Sequence, residues 1–115
     1  MTSKKNPLNL NALQLKTLTL LQELARSPNH ATPAEEPGAI IIRNLPQPHG
    51  DHFHVGDAVV ATRDATGLAN PAAWAALERK GLAKANFPVA VVLTPEGLAY
   101  DTGLAGTLLH RAHHH

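Results

Sequence analysis

Apolar residues recur with a helical period early in the chain. Leu10, Leu13, Leu18, Leu20, Leu21, Leu24 and Ala25 share one broad stripe at about 100° per residue, which predicts an amphipathic helix over residues 10–26. Asn11 is placed to cap its N-terminus. Arg26 suits the negative end of the helix dipole, and Pro28 stops it. Leu8 and Leu15 fall outside the stripe. Leu15 reads as a leucine at the surface or under a loop, or as a contact between copies. Residues 27–38 show no periodicity and read as a polar, proline-rich connector. Ala39 to Arg43 is a β-branched run that predicts a strand. His52 to Ala61 alternates in part and is expected to pair with that strand as a hairpin, across the turn Leu45–Gly50.

The second half opens with an unassigned stretch, Arg63 to Ala69. Asn70 to Lys80 then predicts a helix, with Asn70 as cap, Pro71 in its first turn and Gly81 as its stop. Trp74 and Leu77 point one way from it, and Trp74 belongs to a core or an interface. Leu82–Asn86 and Val89–Leu93 read as strands split by Phe87-Pro88. Thr94-Pro95-Glu96-Gly97 is a turn or a helix start. A weak terminal helix is expected from Leu98 to Arg111, interrupted by Gly103 and Gly106. No internal repeat is visible.

These elements fit one α+β domain over residues 10–109, with a disordered segment before it (1–9) and a flexible, histidine-rich tail after it (110–115). At 115 residues the chain has the length of one domain. Its core must come from Leu, Ala and Val, because the aromatics are only Phe53, Trp74, Phe87 and Tyr100. Aromatics supply the largest buried area per residue, so this core is thin and a homodimer is a natural way to add to it. The absence of cysteine excludes disulfides and thiolate chemistry. No apolar run reaches the ~20 residues of a membrane span, and no signal-peptide core follows the N-terminus. The expectation is a cytoplasmic protein without a membrane partner.

Chemistry concentrates in one place. His49, Asp51, His52 and His54 lie within six residues, and on a strand His52 and His54 project from the same face. Imidazole and carboxylate are ligand types for zinc, nickel, copper or iron. The same residues also suit a solvated strand edge that resists pairing with another chain. Asp101-Thr102-Gly103 matches the triplet of aspartic proteases, but that chemistry needs a second carboxylate sharing a proton, and too little chain follows for the rest of such a barrel. Without a phosphate-binding glycine loop or a nucleophile elbow, the chain is not expected to be an enzyme.

Three segments in order, Leu10–Ala25, Thr66–Leu82 and Val89–Ala99, resemble the opening helix, the turn and recognition helix, and the returning wing of MarR-type winged-helix regulators. The resemblance implies a small winged-helix-like domain carrying an extra central hairpin, where the family has helices instead. It implies a regulatory module that binds DNA or a protein partner. The candidate DNA contacts are Arg63, Arg79, Lys80 and Lys84. A net charge of +1 gives no basic excess of the kind DNA-binding domains usually carry. Alanines also fill the early turns of the candidate recognition helix, where base contacts normally need Arg, Lys, Asn or Gln. The alternative expectation is a metal-binding or metal-sensing protein built on the histidine segment.

Overall fold

The computed structural model describes residues 6–47, 50–55 and 58–111. Helix α1 (Ala12–Leu24) starts at the expected cap. Asn11 accepts the Gln14 N–H at 2.8 Å, and the Gln14 side chain accepts the Asn11 N–H at 3.0 Å. Two donors that a helix start leaves orphaned are thereby satisfied. Leu18, Leu20, Leu21 and Leu24 are fully buried, and Leu15 packs half-buried against the same core. Thr17 and Thr19 are also buried. Each donates its hydroxyl to the carbonyl four residues back, at 2.7 Å, which removes the cost of an unpaired polar group.

The remaining elements are α+β in character. Strands β1 (Ala31–Pro33), β2 (Ile40–Arg43), β3 (His52–Val55) and β4 (Ala58–Ala61) are followed by two 3-10 turns, Thr62–Asp64 and Thr66–Ala69. Helix α2 (Pro71–Arg79), strands β5 (Ala83–Asn86) and β6 (Ala90–Leu93), helices α3 (Pro95–Ala99) and α4 (Ala105–Leu108), and strand β7 (His110–Arg111) complete the chain. Two antiparallel sheets result, one ordered β1-β2-β6-β5 and the other β3-β4-β7.

This pairing corrects the expected central hairpin. Strand β2 does not pair with His52–Ala61; it lies between β1 and β6, with Ile42 opposite Val91. His52–Ala61 folds on itself instead, with Val55 opposite Ala58. Val55 and Ala58 are only three positions apart in the sequence. Closing so short a loop costs less entropy than pairing across the longer proline-rich turn. The unbroken Ile40-Ile41-Ile42 run suits a strand flanked on both sides.

Four further segments differ from expectation. The connector holds β1. The region Leu98–Arg111 is not one helix: Asp101 accepts the Gly103 N–H at 3.0 Å, and Gly103 has φ +74°, a turn that a continuous helix cannot contain. The N-terminal segment is anchored from Asn6 onward. Its side-chain oxygen accepts the Tyr100 hydroxyl at 2.7 Å and the Leu10 N–H at 2.8 Å. At the other end, His110 and Arg111 join the sheet beside β4. Among the described residues no helix is long and apolar enough to cross a membrane.

The expected capped helix α2 is present. Asn70 accepts the Ala72 N–H at 2.9 Å, and Gly81, at φ +78°, ends the helix before β5. Helix α1 lies against α2 and against the 3-10 turn preceding it. Gly67 makes that approach close: a Cβ there would overlap the Thr17 hydroxyl and come within 3.0 Å of its Cβ. Gly67→Ala is therefore expected to destabilise the fold by about 1–3 kcal/mol, although its φ would accept alanine. Thr17→Ala in the same chain should recover part of that loss. Additive losses in a double-mutant cycle of denaturant unfolding would refute the contact.

Candidate functional site

Three groups of residues can be weighed as a site. The first surrounds the β5–β6 turn, Phe87-Pro88-Val89. Trp74 is fully buried on α2 and donates its indole N–H to the Gly67 carbonyl at 3.1 Å. Phe87 packs against it edge to face, with ring centroids 4.8 Å apart at 78°. Phe87 also lines a groove with Leu45, Phe53, Leu68 and Pro88, in which Gln47 supplies a polar side chain. The groove encloses about 190 Å³, below the ~300–1,000 Å³ of small-molecule and cofactor sites. It is sized for one apolar side chain. Among the described residues, Phe87, 37% exposed, and Val89, 62% exposed, are the most exposed large hydrophobic side chains, and both sit in this turn. Sequence reading missed the groove because its walls come from four separated segments. The one local sign is a turn of three apolar residues, where Gly, Asn, Asp and Ser are the usual occupants beside Pro.

The second group is basic. Arg63 lies in the first 3-10 turn, Arg79 and Lys80 at the end of α2, and Lys84 on β5, all exposed. Lys84 pairs with Glu36 at 3.4 Å. Asn70, the other side chain suited to reading bases, is occupied as the helix cap. The exposed positions of α2 are Pro71, Ala72, Glu78 and Arg79. Glu78 accepts the Ala85 N–H at 3.2 Å, so its carboxylate is engaged with β5.

The third group is the imidazoles. His52 and His54 project from one face of β3, with ring centroids 5.0 Å apart at 82°. Asp51 Oδ1 lies 3.4 Å from His52 Nδ1. His49, the remaining member of the expected set, lies outside the described residues. Among the described residues no three His, Asp or Glu side chains come together around one metal position. His110 opposes Val59, which in turn opposes His54, so His110 shares the histidine face two strands away.

Two other features are structural. The Asp101 carboxylate is used in the turn at Gly103. A depression of about 260 Å³ beside α1 is lined by Thr19, Gln22, Glu23, Arg26 and Leu98, among others. Thr19 bonds Thr102 at 2.6 Å, and the Gln22 amide donates to the Gly97 and Tyr100 carbonyls at 2.8 and 2.7 Å. Those polar groups hold α1 to the chain's last third and are engaged by the fold itself.

No family model, curated protein or solved structure matches this chain.

Proposed function

We propose that this chain is a small winged-helix-like module that works by docking and not by catalysis, and that the groove at the β5–β6 turn takes the same turn of a second copy. The scaffold reading draws support from the order of parts. Helix α2 hands over at Gly81 to the β5–β6 ribbon, the ribbon closes before Thr94, and α1 packs behind α2 and its preceding turn. The docking reading rests on one observation: the exposed apolar knob and the apolar hole occupy the same patch. A projecting side chain next in sequence to the residues that line a hole is the kind of pairing that the self-complementary interface of a symmetric dimer calls for. Val89 is the knob, and a hole of about 190 Å³ accepts a side chain of its size. A net charge of +1 opposes the approach of two copies only weakly. Solvent-exposed hydrophobic side chains concentrated at one site mark interaction surfaces more often than scattered ones do.

Sedimentation or light scattering over a concentration series tests this. The wild-type mass is expected to rise from 12.2 kDa toward twice that value. Val89→Asp should remain at the monomer mass throughout, with a melting temperature close to that of wild type diluted to the monomer, because Val89 is largely exposed in one copy. A wild-type chain that stays monomeric at millimolar concentration would end the docking reading. A salt-sensitive retardation of duplex DNA, abolished by Arg79→Ala and Lys80→Ala, would favour the nucleic-acid reading in its place.

A further inference from the structure

The geometry points to a second, independent site. We propose that His52 and His54 chelate a divalent late first-row transition ion on the face of β3, with Asp51 acting through His52 as a positioning residue.

Strand geometry supplies the pair. Residues two apart on a strand share a face, and the hairpin register with β4 fixes that face, with His52 opposite Ala61 and His54 opposite Val59. Neither opposing side chain carries a polar atom that would compete for the ion. With metal–nitrogen bonds of about 2.0–2.1 Å, two imidazoles on one ion at a tetrahedral angle hold their centroids about 5 Å apart. The observed separation is 5.0 Å. The two rings thus lie within the span of one ion, with their planes at 82° to one another.

Asp51 has a different part. Its Oδ1 lies 3.4 Å from His52 Nδ1, close enough to draw the ring proton to that nitrogen and to make Nε2 the coordinating atom. Histidine ligands commonly send their second nitrogen to a carboxylate in this way, which orients the ring and raises its basicity. The sequence grouped Asp51 with the ligands; the structure gives it to the ligand. Two imidazoles leave positions on the ion for water, and imidazole favours copper, nickel and zinc over magnesium or calcium.

Zinc, being diamagnetic, is the probe. The full chain should carry His113→Ala, His114→Ala and His115→Ala, so that the terminal imidazoles do not compete. Zinc sulfate is added while imidazole nitrogen shifts are followed by NMR, with magnesium sulfate as the control. The expected result is saturation at one zinc per chain below millimolar metal, with shifts at His52 and His54 and no response to magnesium. His54→Ala should abolish it. His110→Ala, two strands away and about 10 Å distant, should leave it intact. Asp51→Asn should weaken binding about 10–100-fold and shift the tautomer balance of His52 without changing the melting temperature, since Asp51 is fully exposed. Shifts that survive His54→Ala would overturn the chelate. An unchanged His52 tautomer in Asp51→Asn, or a loss of binding there as complete as in His54→Ala, would overturn the positioning role.

Discussion

Trp74→Ala is expected to cost about 3–5 kcal/mol, the usual range for removing a large buried aromatic. At this chain length the melting temperature should fall by roughly 15 °C. The size of the effect follows from what one side chain joins. The indole is fully buried from α2, its N–H reaches the Gly67 carbonyl in the 3-10 turn, and its ring meets Phe87 at the β5–β6 turn. Edge-to-face pairing adds about 0.5–1.5 kcal/mol beyond burial. The chain has few other aromatics to fill the void. Trp74→Phe separates the contributions: it keeps a ring against Phe87 but loses the hydrogen bond. The Gly67 carbonyl would still accept the Asn70 N–H at 3.2 Å, so the bond itself should account for only about 1 kcal/mol of the Trp74→Phe loss. Because Phe87 also lines the groove, Trp74→Ala is expected to weaken self-association more than Trp74→Phe does. A melting temperature within 5 °C of wild type in Trp74→Ala would mean that Trp74 does not tie these three segments together.

What the sequence revealed follows the range of the forces involved. Both longer helices were legible because their ends are written locally: Asn11 at the first cap, Asn70 with Pro71 at the second, and Gly81 in its left-handed conformation. The two strands after α2 were legible for the same reason, being neighbours joined by a short turn. The partner of Ile40–Arg43 was not. Its hydrogen bonds go to Ala90–Leu93, about fifty residues on, and nothing in a β-branched run says which distant strand it will meet. The groove was hidden likewise, since Leu45, Phe53, Leu68 and Phe87 come from four segments far apart in the chain. The histidine pair was visible because i, i+2 alternation is a local rule. Its spacing to Asp51 was visible too, but whether the carboxylate faces an ion or an imidazole depends on side-chain geometry that spacing does not specify.

The Thr94-Pro95-Glu96-Gly97 segment shows how a short motif can carry a large energetic constraint. Thr94 caps α3 by accepting the Gly97 N–H at 3.0 Å, and donates its own hydroxyl to the Gly81 carbonyl at 2.8 Å. One threonine thus ties the end of the ribbon to the end of α2. Gly97 is then pressed onto the Leu82 backbone: a Cβ there would overlap the Leu82 carbonyl oxygen and sit 3.3 Å from its Cα. Leu82 is itself buried, and its carbonyl accepts the Thr94 N–H at 3.1 Å, so the backbone cannot withdraw without losing that bond. Gly97→Ala is accordingly expected to cost about 3 kcal/mol, the upper end of ordinary overpacking. The loss should reach Gln22, whose amide holds the Gly97 and Tyr100 carbonyls. Gly106→Ala provides the contrast. That glycine lies within α4 with nothing near its missing Cβ, so alanine should stabilise by about 0.4–1 kcal/mol through the unfolded chain. One substitution type at two glycines should therefore shift the denaturation midpoint in opposite directions. Equal shifts would show that close approach at Leu82, and not helix propensity or chain entropy, has been misjudged as the reason glycine stands at 97.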